Sequence, residues 1–327
     1  MKLKSYILLT VTGALAAASA SAQNLASGYF DDNYEYRYQL NPAMGNDDNG
    51  FVSMPGLGNL NVGTNGTVGV NKLFYNIDGQ TTTFLNPKVD ATDFVNGLRN
   101  NNRIGVDLRE TILAVGFKGL WGYNTVTLSA RANVGVYVPK DLLRLAKYGA
   151  ENNRYQIGKM GAQATAWAEL ALNHSQKLND HWRVGGSMKL LIGAGNIDAR
   201  FHNTDLVLNE DNWVATVDAE LNNSVRNLTY KTSYNDRTDR EYVSGFHYGD
   251  FKLNGIGAAF DFGAVYTLNS DWEFSASLLD LGFITWDNNL LATTNGPKRV
   301  ETDRYSFNVT DMDDAFDKLR DDVTLLY

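Results

Sequence analysis

The chain contains no cysteine, which excludes disulfides, thiolate metal sites and lipid attachment at a signal-peptide cysteine. Proline is also scarce, at 5 in 327 residues, and this suits long uninterrupted strands. Past residue 22 no apolar run reaches the ~20 residues a transmembrane helix needs. A basic surplus is missing as well. With a net charge of −8 there is nothing to neutralise a phosphate backbone, which argues against general nucleic-acid binding. The four histidines, His174, His181, His202 and His247, are scattered, and none forms the i, i+4 pair of a metalloprotease helix. Nucleophile elbows and Walker loops are absent, and Asp261 and Glu273 read as polar residues of one hairpin rather than an acid–base pair. We therefore expect no enzyme, no metal, no cofactor and no catalytic residue.

What the chain does contain is alternation. In the stretch Ile256 to Trp286, Ile256, Ala258, Phe260, Phe262, Ala264, Tyr266 and Leu268 share one side, against Gly257, Ala259, Asp261, Gly263 and Thr267. This is the period of a strand with one apolar face. Asn269-Ser270-Asp271 turns the chain, and Trp272, Phe274, Ala276 and Leu278 continue the apolar face against Glu273, Ser275 and Ser277. Each arm runs roughly a dozen residues, where globular strands average about 5 to 6. A tilted strand crosses a bilayer in about 9 to 11. Long strands in a soluble β-sandwich would alternate in the same way.

The design repeats. Leu178-Asn179-Asp180-His181-Trp182 matches Leu268-Asn269-Ser270-Asp271-Trp272 at an offset of 90 residues, and a further hairpin turns at Leu120-Trp121-Gly122-Tyr123. Around these turns Val126, Leu128, Leu170, Leu190 and Phe262 fall on apolar faces. Arg131, Glu169, Arg183, Lys189, Asp261 and Glu273 fall on the polar ones and are the candidate lumen-facing residues. Strict alternation would leave Asp280 on the apolar face, so a bulge is expected near Leu278-Leu279, sending Leu279, Leu281 and Phe283 outward and Asp280 inward.

Taken in order, residues 1–22 have the basic tip, apolar run and Ala20-Ser21-Ala22 site of a cleaved signal peptide. Residues 23–60 read as a periplasmic N-terminal segment with Asn41-Pro42-Ala43 and Pro55-Gly56-Leu57-Gly58. Residues 61–327 read as the barrel, with strands beginning near Val62, Ile104, Thr125, Ala162, Trp182, Gly255 and Trp272. The Val62 strand is expected to reach Phe74. Short helices are expected in Thr92–Asn100, from Pro139 to Tyr148, and at Asp311–Asp322. The connection Asn203–Asn254 reads as strand-like. The tight turns all fall at one end and the long connections at the other, as in an outer-membrane barrel and not in a sandwich. The mean hydropathy of −0.31 does not argue against this, because barrel strands alternate and their loops are polar. Single-chain bacterial barrels have even strand numbers, so seven crossings lead us to expect a barrel truncated at the C-terminus.

The string Gly255-Ile256-Gly257-Ala258-Ala259-Phe260-Asp261-Phe262-Gly263-Ala264-Val265-Tyr266, with Leu279-Asp280-Leu281-Gly282-Phe283-Ile284-Thr285-Trp286, resembles an outer-membrane barrel family of Bacteroidota with no assigned function. Asn41-Pro42-Ala43 is also similar to the start of long-chain fatty-acid transporter barrels and of the barrel that shuttles type IX secretion substrates. The fold class expected is an all-β antiparallel transmembrane barrel in the outer membrane. Its expected partners are membrane lipid and the barrel-assembly machinery. Two functions stay open. One is a channel or transporter for a small solute, apolar and held near Asn41 to Leu57 if the transporter likeness holds. The other is a non-transporting surface or secretion-associated barrel that docks a partner through its extracellular loops.

Overall fold

Long antiparallel strands dominate the computed structural model, which describes residues 28–31, 33–46, 49–54, 59–149, 154–209, 212–235, 240–287, 289–294 and 296–303. The expected signal peptide at 1–22, the Pro55-Gly56-Leu57-Gly58 stretch and the expected helix at Asp311–Asp322 lie outside them. In chain order the elements begin with β1 (Phe51–Ser53), β2 (Leu60–Gly66), a helical turn α1 (Val70–Leu73), β3 (Phe74–Ile77), β4 (Gln80–Thr83) and α2 (Ala91–Asn96). Next come β5 (Asn101–Gly119), β6 (Gly122–Pro139), α3 (Lys140–Tyr148), β7 (Arg154–Lys177) and β8 (Trp182–Leu208). The Asn203–Asn254 connection forms β9 (Asn212–Val217), β10 (Ala219–Asn223), β11 (Leu228–Asn235) and β12 (Arg240–Tyr248). The remainder is β13 (Ile256–Thr267), β14 (Glu273–Thr285), β15 (Leu290–Thr293) and β16 (Lys298–Asp303).

One twelve-stranded sheet organises the chain. Its centre is a meander, β5-β6-β7-β8, continued by β13 and β14. β8 is long enough to serve several partners: residues 182–192 pair with β13, and the far end pairs with β10 and then β9. On the other flank β5 carries β1 and β2. Among the described residues β14 pairs only with β13, and β1 and β2 only with β5, so the sheet is curved but not closed into a ring.

The repeated turns have a shared physical cause. Asn179 Oδ1 accepts from the backbone N–H of His181 and Trp182 at 2.9 and 2.8 Å, and Asn269 Oδ1 accepts from Asp271 and Trp272 at 2.9 Å each. A side chain that mimics a backbone turn in this way fixes where each strand reverses. The third turn is tighter. Leu120 and Trp121 both sit at positive φ, 51° and 62°, the backbone of a two-residue hairpin turn.

The sequence expectations need two corrections here. The Val62 strand stops at Gly66 instead of reaching Phe74. Val68 turns into a small core with Phe94, Val95, Leu98 and Leu143, and Val70–Leu73 coils beside it. The bulge on β14 is present, because the register passes from Phe260↔Leu281 to Phe262↔Leu278 and leaves Leu279 and Asp280 opposite Asp261. Asp280 adopts φ 58° there, a conformation aspartate tolerates better than most side chains. Leu279, however, faces inward, lining a cavity with Tyr36, Arg109 and Arg131. A bulge places two consecutive side chains on one face, and strict alternation had assigned only one of them.

Candidate functional site

Each strand of the central sheet contributes one polar residue to the middle of the concave face, and there the charges join. Arg131 on β6 donates to Glu169 on β7 at 2.8 Å and forks onto both oxygens of Asp280 on β14 at 2.9 and 3.0 Å. Lys189 on β8 meets Asp280 at 2.7 Å and Asp261 on β13 at 2.6 Å. Arg109 on β5 lies 3.9 Å from Glu169. The result is a chain of alternating sign, Arg109–Glu169–Arg131–Asp280–Lys189–Asp261, with three cations and three anions drawn from six strands. Glu169, Lys189 and Asp261 are buried to within 4, 7 and 3 % exposure. Charges so deep persist only when paired and hydrogen-bonded. The second oxygen of Asp261 accepts the backbone N–H of Asp280 at 2.7 Å, so the carboxylate that binds Lys189 also holds the bulge in shape.

Arg183 and Glu273 also lie on the concave face, but near the tight turns, in a separate cavity with Arg37, Lys177 and His181. Arg183 donates to the Gly45 carbonyl at 2.6 Å. Asp261 and Glu273 are therefore held in different surroundings and do not form a carboxylate pair. Arg109 went unassigned in the sequence because Arg109 and Glu110 are charged neighbours and β5 bulges between Thr111 and Leu113, which obscures the period.

Asn41, Pro42 and Ala43 are fully buried. The segment around them fills the concave face between the charge chain and the tight turns. Asn41 Nδ2 donates to the carbonyls of Ala264 and Ala276 on two strands at 3.4 and 3.3 Å, and its Oδ1 accepts the Ala43 N–H at 3.0 Å. Asn173 donates to the Pro42 carbonyl at 3.3 Å and Ser277 to the Leu40 carbonyl at 3.0 Å. Tyr38 bonds Thr127 at 2.8 Å, and Tyr29 bonds Ser275. Gly185 and Gly263 are required by this fit, since a Cβ on the first would meet the Pro42 carbonyl and on the second the Asn41 side chain. Burial pushes the Tyr38 phenol up to about 12, and raises Tyr34 as well. The space around Asn41 is thus filled by the segment itself.

A family model matches residues 42–326. The chain belongs to DUF5723, a family of unknown function. The match begins at the buried Pro42 and takes in every strand of the DUF5723 sheet described above. No curated protein and no solved structure matches the chain. Among the described residues of this DUF5723 protein, no group of three His, Cys, Asp or Glu is placed to hold a metal. His174 bonds Asn124 and His181 bonds the Thr267 carbonyl, each within a turn region.

Proposed function

We propose that the sheet is the wall of an outer-membrane β-barrel that passes a small solute, with the segment around Asn41-Pro42-Ala43 as its internal plug. One observation carries the reading, the sorting of the two faces. Val126, Leu172, Met188, Phe260 and Leu281 are successive cross-strand partners on β6, β7, β8, β13 and β14, and all are exposed on the convex side. A second row, Leu113, Leu128, Leu170 and Leu190, is exposed in the same way. Monomeric soluble proteins rarely expose so continuous an apolar surface, whereas a bilayer requires it. The opposite face holds the six-charge chain. Trp121, Trp182 and Trp272 stand exposed at the tight-turn end, where an interfacial aromatic girdle is expected.

The likeness of Asn41-Pro42-Ala43 to the start of fatty-acid transporter and type IX shuttle barrels, and of the Gly255–Trp286 string to a Bacteroidota outer-membrane family, accords with this reading. The helices at the loop end pack Leu143 into one core, where Phe84 stacks on Phe94 at 4.4 Å, and Leu142 and Leu145 against Tyr155, Ile157 and Leu208. The test is swelling of proteoliposomes by the purified protein. Solute entry should be slow with the native chain and rise at least about tenfold when residues 28–46 are deleted. A folded, membrane-inserted protein that stays sealed after the deletion would replace the channel with the docking role.

A further inference from the structure

Beyond the charge chain, toward the loop end, the concave face opens into a cavity of about 500 Å³ whose lining mixes charged and amide side chains with Leu191, Ile284 and two tryptophans. Resting on the channel reading, we propose that it is the solute-binding site and that its ligand is an uncharged polyhydroxylated molecule of mono- or disaccharide size. Three features argue for that class.

The first is the charge balance. Arg131, Glu169 and Asp280 line the cavity, but they are spent on one another, and Asp107 accepts from the amides of Asn65 and Asn133. Among the described residues that line the cavity no unpaired cation remains to hold a carboxylate or phosphate, and an ionic ligand would have to break an existing pair.

The second is the supply of neutral polar groups. Thr165 donates to Asn196 Oδ1 at 2.7 Å. The Asn196 NH2, the Asn133 carbonyl and both ends of the Gln163 amide have no protein partner among the described residues. Amides offer donors and acceptors side by side, as hydroxyl groups do. An alkyl chain in this cavity would leave them unsatisfied, at roughly 1–3 kcal/mol for each group cut off from water.

The third is the aromatic wall. Trp167 and Trp286 both line the cavity. The guanidinium of Arg131 lies 5.0 Å from the Trp167 ring centre. Trp286 lies against bare backbone, since a Cβ at Gly193 would fall 2.5 Å from its ring and one at Gly255 3.1 Å. Indoles bring a flat apolar body with a polar handle, which suits the C–H faces of a sugar ring. A cavity of this size is within the ~300–1,000 Å³ of small-molecule sites.

The experiment is calorimetric and fluorimetric titration of the purified full chain with maltose and, separately, with laurate, run beside proteoliposome swelling. Maltose should bind and quench tryptophan emission. Gln163→Ala and Asn196→Ala, each of which removes an amide from the cavity surface, should each weaken binding by about fivefold, as the loss of a neutral hydrogen bond predicts. Trp286→Ala should weaken binding further and abolish part of the quench. Laurate binding in place of maltose, or maltose binding indifferent to all three substitutions, overturns the proposal. Swelling with no saturable maltose binding leaves the channel standing and removes this site. Maltose binding that follows the substitutions in a protein that never swells keeps the site and removes the channel.

Discussion

Lys189 is the residue on which the interior depends most, because it is buried and faces two carboxylates, one of them equally buried. Replacing it with methionine leaves Asp261 uncompensated, and breaking a buried pair in this way costs about 3–5 kcal/mol. Lys189→Met should therefore lower the urea midpoint of the protein refolded in vesicles, and Lys189→Met with Asp261→Asn, which removes the charge but keeps an oxygen for the Asp280 N–H, should recover a large part of the loss. A double variant no more stable than the single one would mean that the pair is not the source. The facing of Lys189, Glu169 and Arg131 is legible in the sequence, because strands β6, β7 and β8 alternate regularly there. Leu279 and Arg109 are not, because a bulge beside each breaks the period on which the reading depends. The partners of Asn41 are illegible for a different reason. They are backbone carbonyls more than 220 residues away, and no local pattern encodes them.

Among the elements, the β5–β6 turn carries the clearest conflict between local and global demands. Two-residue turns with both residues at positive φ favour Asn-Gly, yet this one uses Leu120 and Trp121, exposed to 73 and 91 %. A left-handed backbone costs an ordinary residue roughly 1–2 kcal/mol. Such side chains at the tip suit contact with a membrane interface. Leu120→Asn with Trp121→Gly should raise thermal stability in detergent while slowing insertion into lipid vesicles. Equal effects in the two media would show that the turn is tuned for the fold alone. The three hairpins and their turns are legible because alternation and Asx-turn chemistry are local. The helical turn at Val70–Leu73 is not, since Val68 and Val70 mimic a strand and only the long-range packing of Val68 on Phe94 shows otherwise.

At the scale of the whole molecule, polar contacts tie the buried segment to the sheet that the channel reading makes its wall. Tyr38 reports on this. Its phenol is ordinarily near 10 and is pushed up to about 12 by burial, so the seated segment holds the proton more tightly than the released one. The stabilisation is fully present below pH 10 and is lost as pH rises toward 12. The total is on the order of 2–3 kcal/mol. Cleavage within residues 28–46 by an alkali-tolerant protease should increase across that window, and Tyr38→Phe should flatten the rise. Gly185→Ala should expose the same segment at neutral pH, because the added methyl falls on the Pro42 carbonyl. A segment that stays protected in Gly185→Ala would mean that the wall yields instead of the plug.

The burial of Asn41-Pro42-Ala43 also bears on how the curve of the wall arises. The segment touches strands β5, β6, β7, β8, β13 and β14, at sequence separations from 70 residues for Arg109 with Gln39 to 246 for Tyr29 with Ser275. Closing loops of that length is slow and entropically costly, so these bonds form late, after the local hairpins. By then the segment is placed to act as a mandrel, because six strands of the meander bend around it to make these bonds. A chain refolded without residues 28–46 should retain its hairpins and its strand content by circular dichroism while adopting a wider, more variable curvature by small-angle scattering. Supplying the segment as a separate peptide should narrow that distribution.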